Sequence, residues 1–113
     1  MDKGRVVLVP FPFDDLSATK LRPAVCMTEP VGPHRHVILA FISSSKPDPL
    51  IDSDVELGQG ETEFPQTGLK VDSVLRLHRL MTVSQSLIRR ELEILPPRWQ
   101  NLVQGKLRRL FGL

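Results

Sequence analysis

The sequence has no tyrosine, a single tryptophan and five phenylalanines, so aromatic residues make up only 5% of it. A chain this poor in aromatics has few platforms on which to stack bases or rings. Cysteine is rarer still, with Cys26 alone, which excludes an internal disulfide and any multi-cysteine zinc site. Set in an apolar stretch, that thiol is expected to pack rather than react, and it suits a reducing compartment. No apolar run approaches the roughly 20 residues that span a bilayer. The apolar start is short, interrupted by Pro10 and Pro12 and followed by Asp14 and Asp15, unlike a secretory signal. A soluble, cytoplasmic protein is expected. Charge of one sign is lacking as well. Fifteen Lys and Arg against 13 Asp and Glu leave a net charge of +2, too little to announce a nucleic-acid binder.

The distribution of charge says more than its sum. Residues 48–63 hold six acids and no base, whereas residues 89–113 hold six bases against Glu91 and Glu93. Such separation gives either two solvated faces of opposite sign or a basic face on a nearly neutral protein. At 113 residues, 41% apolar and 25% charged, the chain is expected to form one domain over residues 1–113. That length supports a modest core and lies near the size at which a dimer interface helps.

Residues 3–28 organise the rest. Residues 5–11 (RVVLVPF) read as a strand buried on at least one face. Pro10 and Pro12 are expected to end its pairing, because proline lacks the ladder N–H. A polar loop over residues 12–21 carries Asp14, Asp15, Ser17, Thr19 and Lys20, and residues 23–28 return as a second strand. Pro23 holds Arg22 extended, so the guanidinium leaves a stiff base, as phosphate recognition needs. Residues 29–33 make a turn rich in Pro and Gly. His34 and His36 follow, and without a nearby carboxylate or cysteine they read as loop surface rather than metal ligands.

Residues 37–42 (VILAFI) are apolar throughout and should be the central strand. Ser43, Ser44 and Ser45 then either present hydroxyls at a rigid strand tip or open the turn at Lys46 to Pro49. Residues 48–68 are expected to be mobile apart from a short strand at 54–57. Along residues 71–80 side chains alternate, putting Val74, Arg76, His78 and Leu80 on one side and Leu75, Leu77 and Arg79 on the other. Arg76 and His78 would stand roughly 7 Å apart. They are either a polar row facing solvent or a ribonuclease-like pair, one charge for a phosphate and one group that moves a proton near neutral pH. Residues 87–95 read as a final strand or as a helical turn entering one. Beyond Pro96 and Pro97, Trp99, Leu102, Val103, Leu107, Leu110 and Phe111 fall at helical spacing over about four turns. Arg98, Lys106, Arg108 and Arg109 lie away from that stripe, which should pack on the sheet or on a partner subunit.

Short strands, turns rich in Pro and Gly and one closing helix predict a mainly β fold, a small, bent, partly closed sheet. Three blocks sharpen this: PFPFDDLSATK followed by LRPAVCM, AFISSS at residues 40–45, and DSVLRLHRLMTV at residues 72–83. In this order they resemble the MazF/PemK family of bacterial toxin endoribonucleases. The resemblance implies an SH3-like barrel with a C-terminal helix, a homodimer with single-stranded mRNA in its groove, and a cognate antitoxin with an acidic, disordered tail. It implies RNA cleavage without metal or other cofactor, the 2′-hydroxyl attacking phosphorus to leave a 2′,3′-cyclic phosphate and a 5′-hydroxyl. By the same resemblance Arg22 is the phosphate-charge stabiliser of the RP motif, and Ser43 and Ser44 match a Thr-Ser pair. Arg76 matches an acid or stabiliser, and His78 sits where some members carry a catalytic aspartate. Lys20, Phe13, Ser44 and Lys46 are the expected RNA contacts. Phe11 and Phe13 are either base-stacking residues or core and loop anchors. Two positions depart from the pattern: His78 itself, and Leu16, where one branch places a histidine. Competing readings are a non-catalytic SH3-like module that binds RNA or protein, and a topoisomerase poison of the same fold.

Overall fold

The computed structural model describes residues 1–11 and 20–113. Residues 12–19, including Phe13 and Leu16, and the side chain of Phe11 lie outside the described residues. Six strands run β1 (Arg5–Phe11), β2 (Lys20–Cys26), β3 (His36–Ser43), β4 (Asp54–Leu57), β5 (Ser73–Ser84) and β6 (Arg90–Ile94), followed by helix α1 (Pro97–Phe111). They form one antiparallel sheet in the order β4-β5-β3-β2-β1-β6, a half-barrel closed by the helix.

Both faces of the inner strands are apolar, and each face carries its own cluster. Val6, Val25, Ala40, Ile42, Leu75 and Leu77 form one with Trp99 and Val103 of α1. Val7, Val9, Ala24, Leu39 and Phe41 form the other. Strand β3 lies inside the sheet, as its unbroken apolar run requires. Helix α1 starts on Pro97, whose missing N–H costs nothing there. It ends at Gly112 in the left-handed conformation, whose N–H bonds the carbonyls of Arg108 and Arg109. Its stripe is covered only in part: Trp99 and Val103 are buried and Leu107 packs beside them, whereas Leu102, Leu110 and Phe111 are exposed.

Three expectations are corrected. Pro10 does not end pairing, since Pro10 opposes Leu21 and Phe11 opposes Lys20. On the other side of β1 the last pair with β6 is Leu8 with Arg90. Beyond it β1 is an edge, where proline's missing donor is tolerated. Residues 58–72 are not a loose loop. Phe64 and Thr67 are buried in a 3-10 turn, and the Gln59 N–H donates to Asp72 Oδ1 at 2.6 Å. The strict alternation of β5 also breaks. Arg76 opposes Phe41 and Leu80 opposes Ala40, so Leu77, His78 and Arg79 bulge out of the β3 ladder. Leu80 thereby joins Leu75 and Leu77 on the helix-covered face.

Candidate active site

Strand pairing places three of the expected catalytic residues on one face. Paired residues share a face, and Val9 opposes Arg22, Ala24 opposes Phe41, and Phe41 opposes Arg76. Ser43 lies two residues beyond Phe41, as Arg22 lies two before Ala24, so both return to that face. Arg22 and Arg76 stand on strands separated only by β3, about 10 Å between strand axes. Two long cationic side chains at that separation can converge on one anion.

The two arginines are held differently. Arg76 Nε donates to Asp54 Oδ1 at 2.9 Å, and Asp54 Oδ2 accepts from the Ile51 N–H at 2.9 Å. The Asp54 side chain is 1% exposed and that of Arg76 21%, so the pair is largely desolvated and its geometry fixed. With Nε committed, the Nη groups are the donors Arg76 has left. Among the described residues Arg22 has no such partner. Its Nε is buried and unbonded among the described residues, which costs stability unless a ligand supplies the acceptor. Asp54 was missed in the sequence, where it belonged to an acidic run. Asp54 and Glu56 alternate with Val55 and Leu57, so the face was readable, but only the β4–β5 register reveals that Arg76 waits opposite.

The remaining candidates divide. Ser43 Oγ donates to the Ser45 carbonyl at 2.9 Å and accepts from the Ser45 N–H at 3.1 Å. Its proton is spent on the turn, leaving one acceptor lone pair. Ser44 is exposed beside it. His78 is exposed within the β5 bulge, where neither β3 nor β4 pairs with it, so no ladder fixes it beside Arg76. Lys20 is exposed at the start of β2, and Lys46 Nζ lies 3.4 Å from Glu56. Phe13 falls outside the described residues.

The chain matches the family described as PemK-like, MazF-like toxin of type II toxin-antitoxin system over residues 2–111. It belongs to that family. No curated protein matches it. Among solved structures, the MazE–MazF complex of Deinococcus radiodurans is similar at TM-score 0.70 and 21% identity, over 100% of this chain and 96% of that one. The toxin MazF-mt6 of Mycobacterium tuberculosis gives 0.69 and 19%, over 95% and 97%. An endoribonuclease in complex with its cognate antitoxin, from a mycobacterial species, gives 0.69 and 14%, over 100% and 96%. At these identities the likeness establishes the fold.

In this MazF-like chain half of the basic run meets the acidic segment. Arg98 Nη1 donates to Glu61 Oε2 at 2.7 Å, Arg109 Nε to Asp52 Oδ2 at 3.0 Å, and Lys106 Nζ to the Asp52 carbonyl at 2.6 Å. The basic helix is therefore strapped to the acidic segment rather than presented as a free patch. Hydrogen bonds from Arg98 and Arg109 hold the Glu61 and Asp52 carboxyls below the usual carboxylate range. Their contribution is present above that range and is lost as pH falls through the lowered values. Both groups are solvent-exposed, so the effect is small and screened by salt.

Cys26 is fully buried. Burial, with a smaller push from Glu91, raises its thiol from 9.0 to about 11, and its Sγ lies 3.4 Å from Met1 Sδ. Such a thiol holds almost no thiolate at neutral pH and is not a nucleophile. At pH 8 the folded protein should fail to react with an aromatic disulfide reagent over minutes, and one equivalent should react in guanidinium. Equal rates in both states would contradict this burial. His34 and His36 stack with centroids 5.9 Å apart, and no cluster among the described residues could hold a metal ion. Nor is any described helix long and apolar enough to cross a membrane.

Proposed function

We propose that the chain is the toxin of a type II pair and a metal-independent endoribonuclease acting on single-stranded mRNA. The observation that carries this reading is the Arg22 guanidinium, buried at Nε without an acceptor among the described residues, on the face that also holds Arg76 and Ser43. A scissile phosphate supplies the missing acceptor. The 2′-hydroxyl attacks the adjacent phosphorus, a P–O bond forms, and the bond to the 5′-oxygen breaks. One product ends in a 2′,3′-cyclic phosphate and the other in a 5′-hydroxyl.

Arg22 and the Nη groups of Arg76 bind the phosphate and stabilise the charge that builds on the phosphorane. An imidazole can accept a proton from the 2′-hydroxyl or deliver one to the leaving oxygen near neutral pH. His78 is the histidine nearest Arg76 in sequence, and closing of the bulge on substrate would bring it to that work. Ser44, unlike Ser43, keeps its hydroxyl for the RNA backbone, and Lys20 and Lys46 supply further charge. Arg76, anchored on Asp54, acts as stabiliser rather than as acid, because a guanidinium does not give up its proton in this range. The homodimer and the antitoxin belong to the same proposal. An acidic tail that folds on binding would compete for the cations that hold RNA.

Two observations favour a second reading, a non-catalytic RNA-binding module: Ser43 is engaged in its own turn, and His78 lies outside the ladder. One experiment separates the two. An RNA cut by the protein is resynthesised with a single 2′-deoxy nucleotide before the break. The ribonuclease reading predicts no cut at that site, undiminished cutting in EDTA, and continued binding. Binding without any cleavage of the all-ribose strand supports the module instead.

A further inference from the structure

Strand β4 brings two carboxylates to the face that holds Arg22, Ser43 and Arg76. Asp54 opposes Arg76, and Glu56 opposes Val74, which on its other side opposes Ser43. Residues paired across a sheet share a face, so Ser43, Val74 and Glu56 form one row beside the row of Phe41, Arg76 and Asp54. Glu56 is the diagonal neighbour of Arg76, roughly 7–8 Å away, and lies two strands from Ser43, roughly 10 Å between axes. The two carboxylates differ in what they have left. Asp54 is buried and accepts from Arg76 Nε and from the Ile51 N–H. Glu56 is exposed, and among the described residues its carboxylate meets only the Lys46 ammonium, Oε2 to Nζ at 3.4 Å. An exposed pair of this kind is weak and is readily given up. Lys46 follows Ser43 by three residues, so the contact leans the Glu56 carboxylate toward the tip of β3. Two other carboxylates are placed differently. Glu91 opposes Val7 on the far side of the sheet, 3.7 Å from Arg5 Nε, and Asp72, ahead of β5, accepts the Gln59 N–H.

We propose that Glu56 is the general base of the cleavage, taking the proton of the attacking 2′-hydroxyl. The inference rests on the ribonuclease reading and assigns a step which that reading left open. Cleavage needs a base beside the ribose, apart from the cations that hold the phosphate oxygens. Arginine has no acceptor for a proton, and Asp54 has both oxygens engaged, which leaves Glu56 for the work. Arg22 and Arg76 stand on the strands either side of β3, and Glu56 lies on the flank of that pair. A phosphate entering between the arginines draws Lys46 to itself and frees the Glu56 oxygen that Lys46 held. Glu56 then takes the proton as O2′ bonds to phosphorus and the bond from phosphorus to the 5′-oxygen breaks. The leaving 5′-oxygen takes its proton from the imidazole of His78 or from water.

The test is single-turnover cleavage in EDTA, at saturating protein, by the parent, Glu56→Gln and Glu56→Asp. Two RNAs are compared: an all-oxygen strand, and one with a bridging sulfur at the 5′ position of the cut, which departs without an acid. Glu56→Gln should slow the bound complex by about 10²–10⁴-fold, the usual worth of a positioned base, and by the same factor on both RNAs. Binding of an uncleavable 2′-O-methyl RNA, read by fluorescence anisotropy, should hold or tighten, since one repelling charge is gone. Glu56→Asp should recover part of the rate. The melting midpoint should not move, because Glu56 is exposed. Cleavage by Glu56→Gln at the parent's rate overturns the assignment and leaves the ribonuclease reading standing. A defect confined to RNA affinity also overturns it and makes Glu56 a binding residue. A defect that vanishes on the sulfur-bridged RNA overturns it as well and makes Glu56 the acid. Failure of the parent to cut either RNA overturns the ribonuclease reading itself, and the base falls with it.

Discussion

Arg22→Ala is expected to lower RNA cleavage by about 10²–10³-fold, the usual cost of removing one preorganised donor from a developing oxyanion. Stability should hardly move, within about 1 kcal/mol of the parent. Where a buried carboxylate anchors an arginine, truncation damages fold and activity together. Here Nε is buried without an acceptor among the described residues, so removing it relieves an unsatisfied donor. The two readouts must therefore separate. The melting midpoint and single-turnover cleavage of one unstructured RNA, measured on the same preparation, check this. A large drop in the midpoint would mean that Arg22 is structural and that its role here is wrong. Full activity would remove it from the phosphate site. Arg22→Lys should recover only part of the rate, because an ammonium cannot present the guanidinium's two-pronged edge.

Asp54→Ala is expected to behave in the opposite way. Its carboxylate accepts from both Arg76 Nε and the Ile51 N–H, and its side chain is 1% exposed. Removing one member of a buried pair leaves the other uncompensated and costs about 3–5 kcal/mol. For a domain of this size that corresponds to a fall of roughly 12–20 °C in the melting midpoint. The double variant Asp54→Ala with Arg76→Leu should recover a good part of the loss, since the unpaired charge is gone. Equal stability of the parent and Asp54→Ala in thermal and urea unfolding would contradict the pairing. The bulge on β5 gives a further readout. Leu77 donates its N–H to the Ser53 carbonyl at 3.3 Å, next to Asp54, so hydrogen exchange at Leu77 should quicken in the variant.

Strand β1, the short strand at 54–57 and helix α1 rest on local pattern and proline placement, and they appear where the sequence puts them. The face shared by Arg22 and Ser43 needs the pairing of Ala24 with Phe41 as well as period-two alternation, so it emerged only with the sheet. The place of His78 was not readable either. Alternation sets it beside Arg76, but an inserted bulge carries no local composition signal, and this one appears only when β5 is paired with β3. The fate of the charges was hidden for a similar reason. Asp52 and Arg109 are 57 residues apart, and nothing local tells a solvated run from one paired across the fold. The same holds for Ser43, whose hydroxyl belongs to a turn that the SSSKP stretch announced, although the hydroxyl itself invited a catalytic reading.

A metal-independent ribonuclease built around Arg22 should cleave RNA with every divalent ion chelated. Unstructured, 3′-labelled RNA is incubated with the purified protein in EDTA, and each product is tested for direct phosphorylation by polynucleotide kinase. Discrete fragments that accept phosphate at once carry 5′-hydroxyl ends and are the predicted result. RNA that stays intact at high protein concentration, or fragments that appear only with added magnesium and bear 5′-phosphates, would contradict the account.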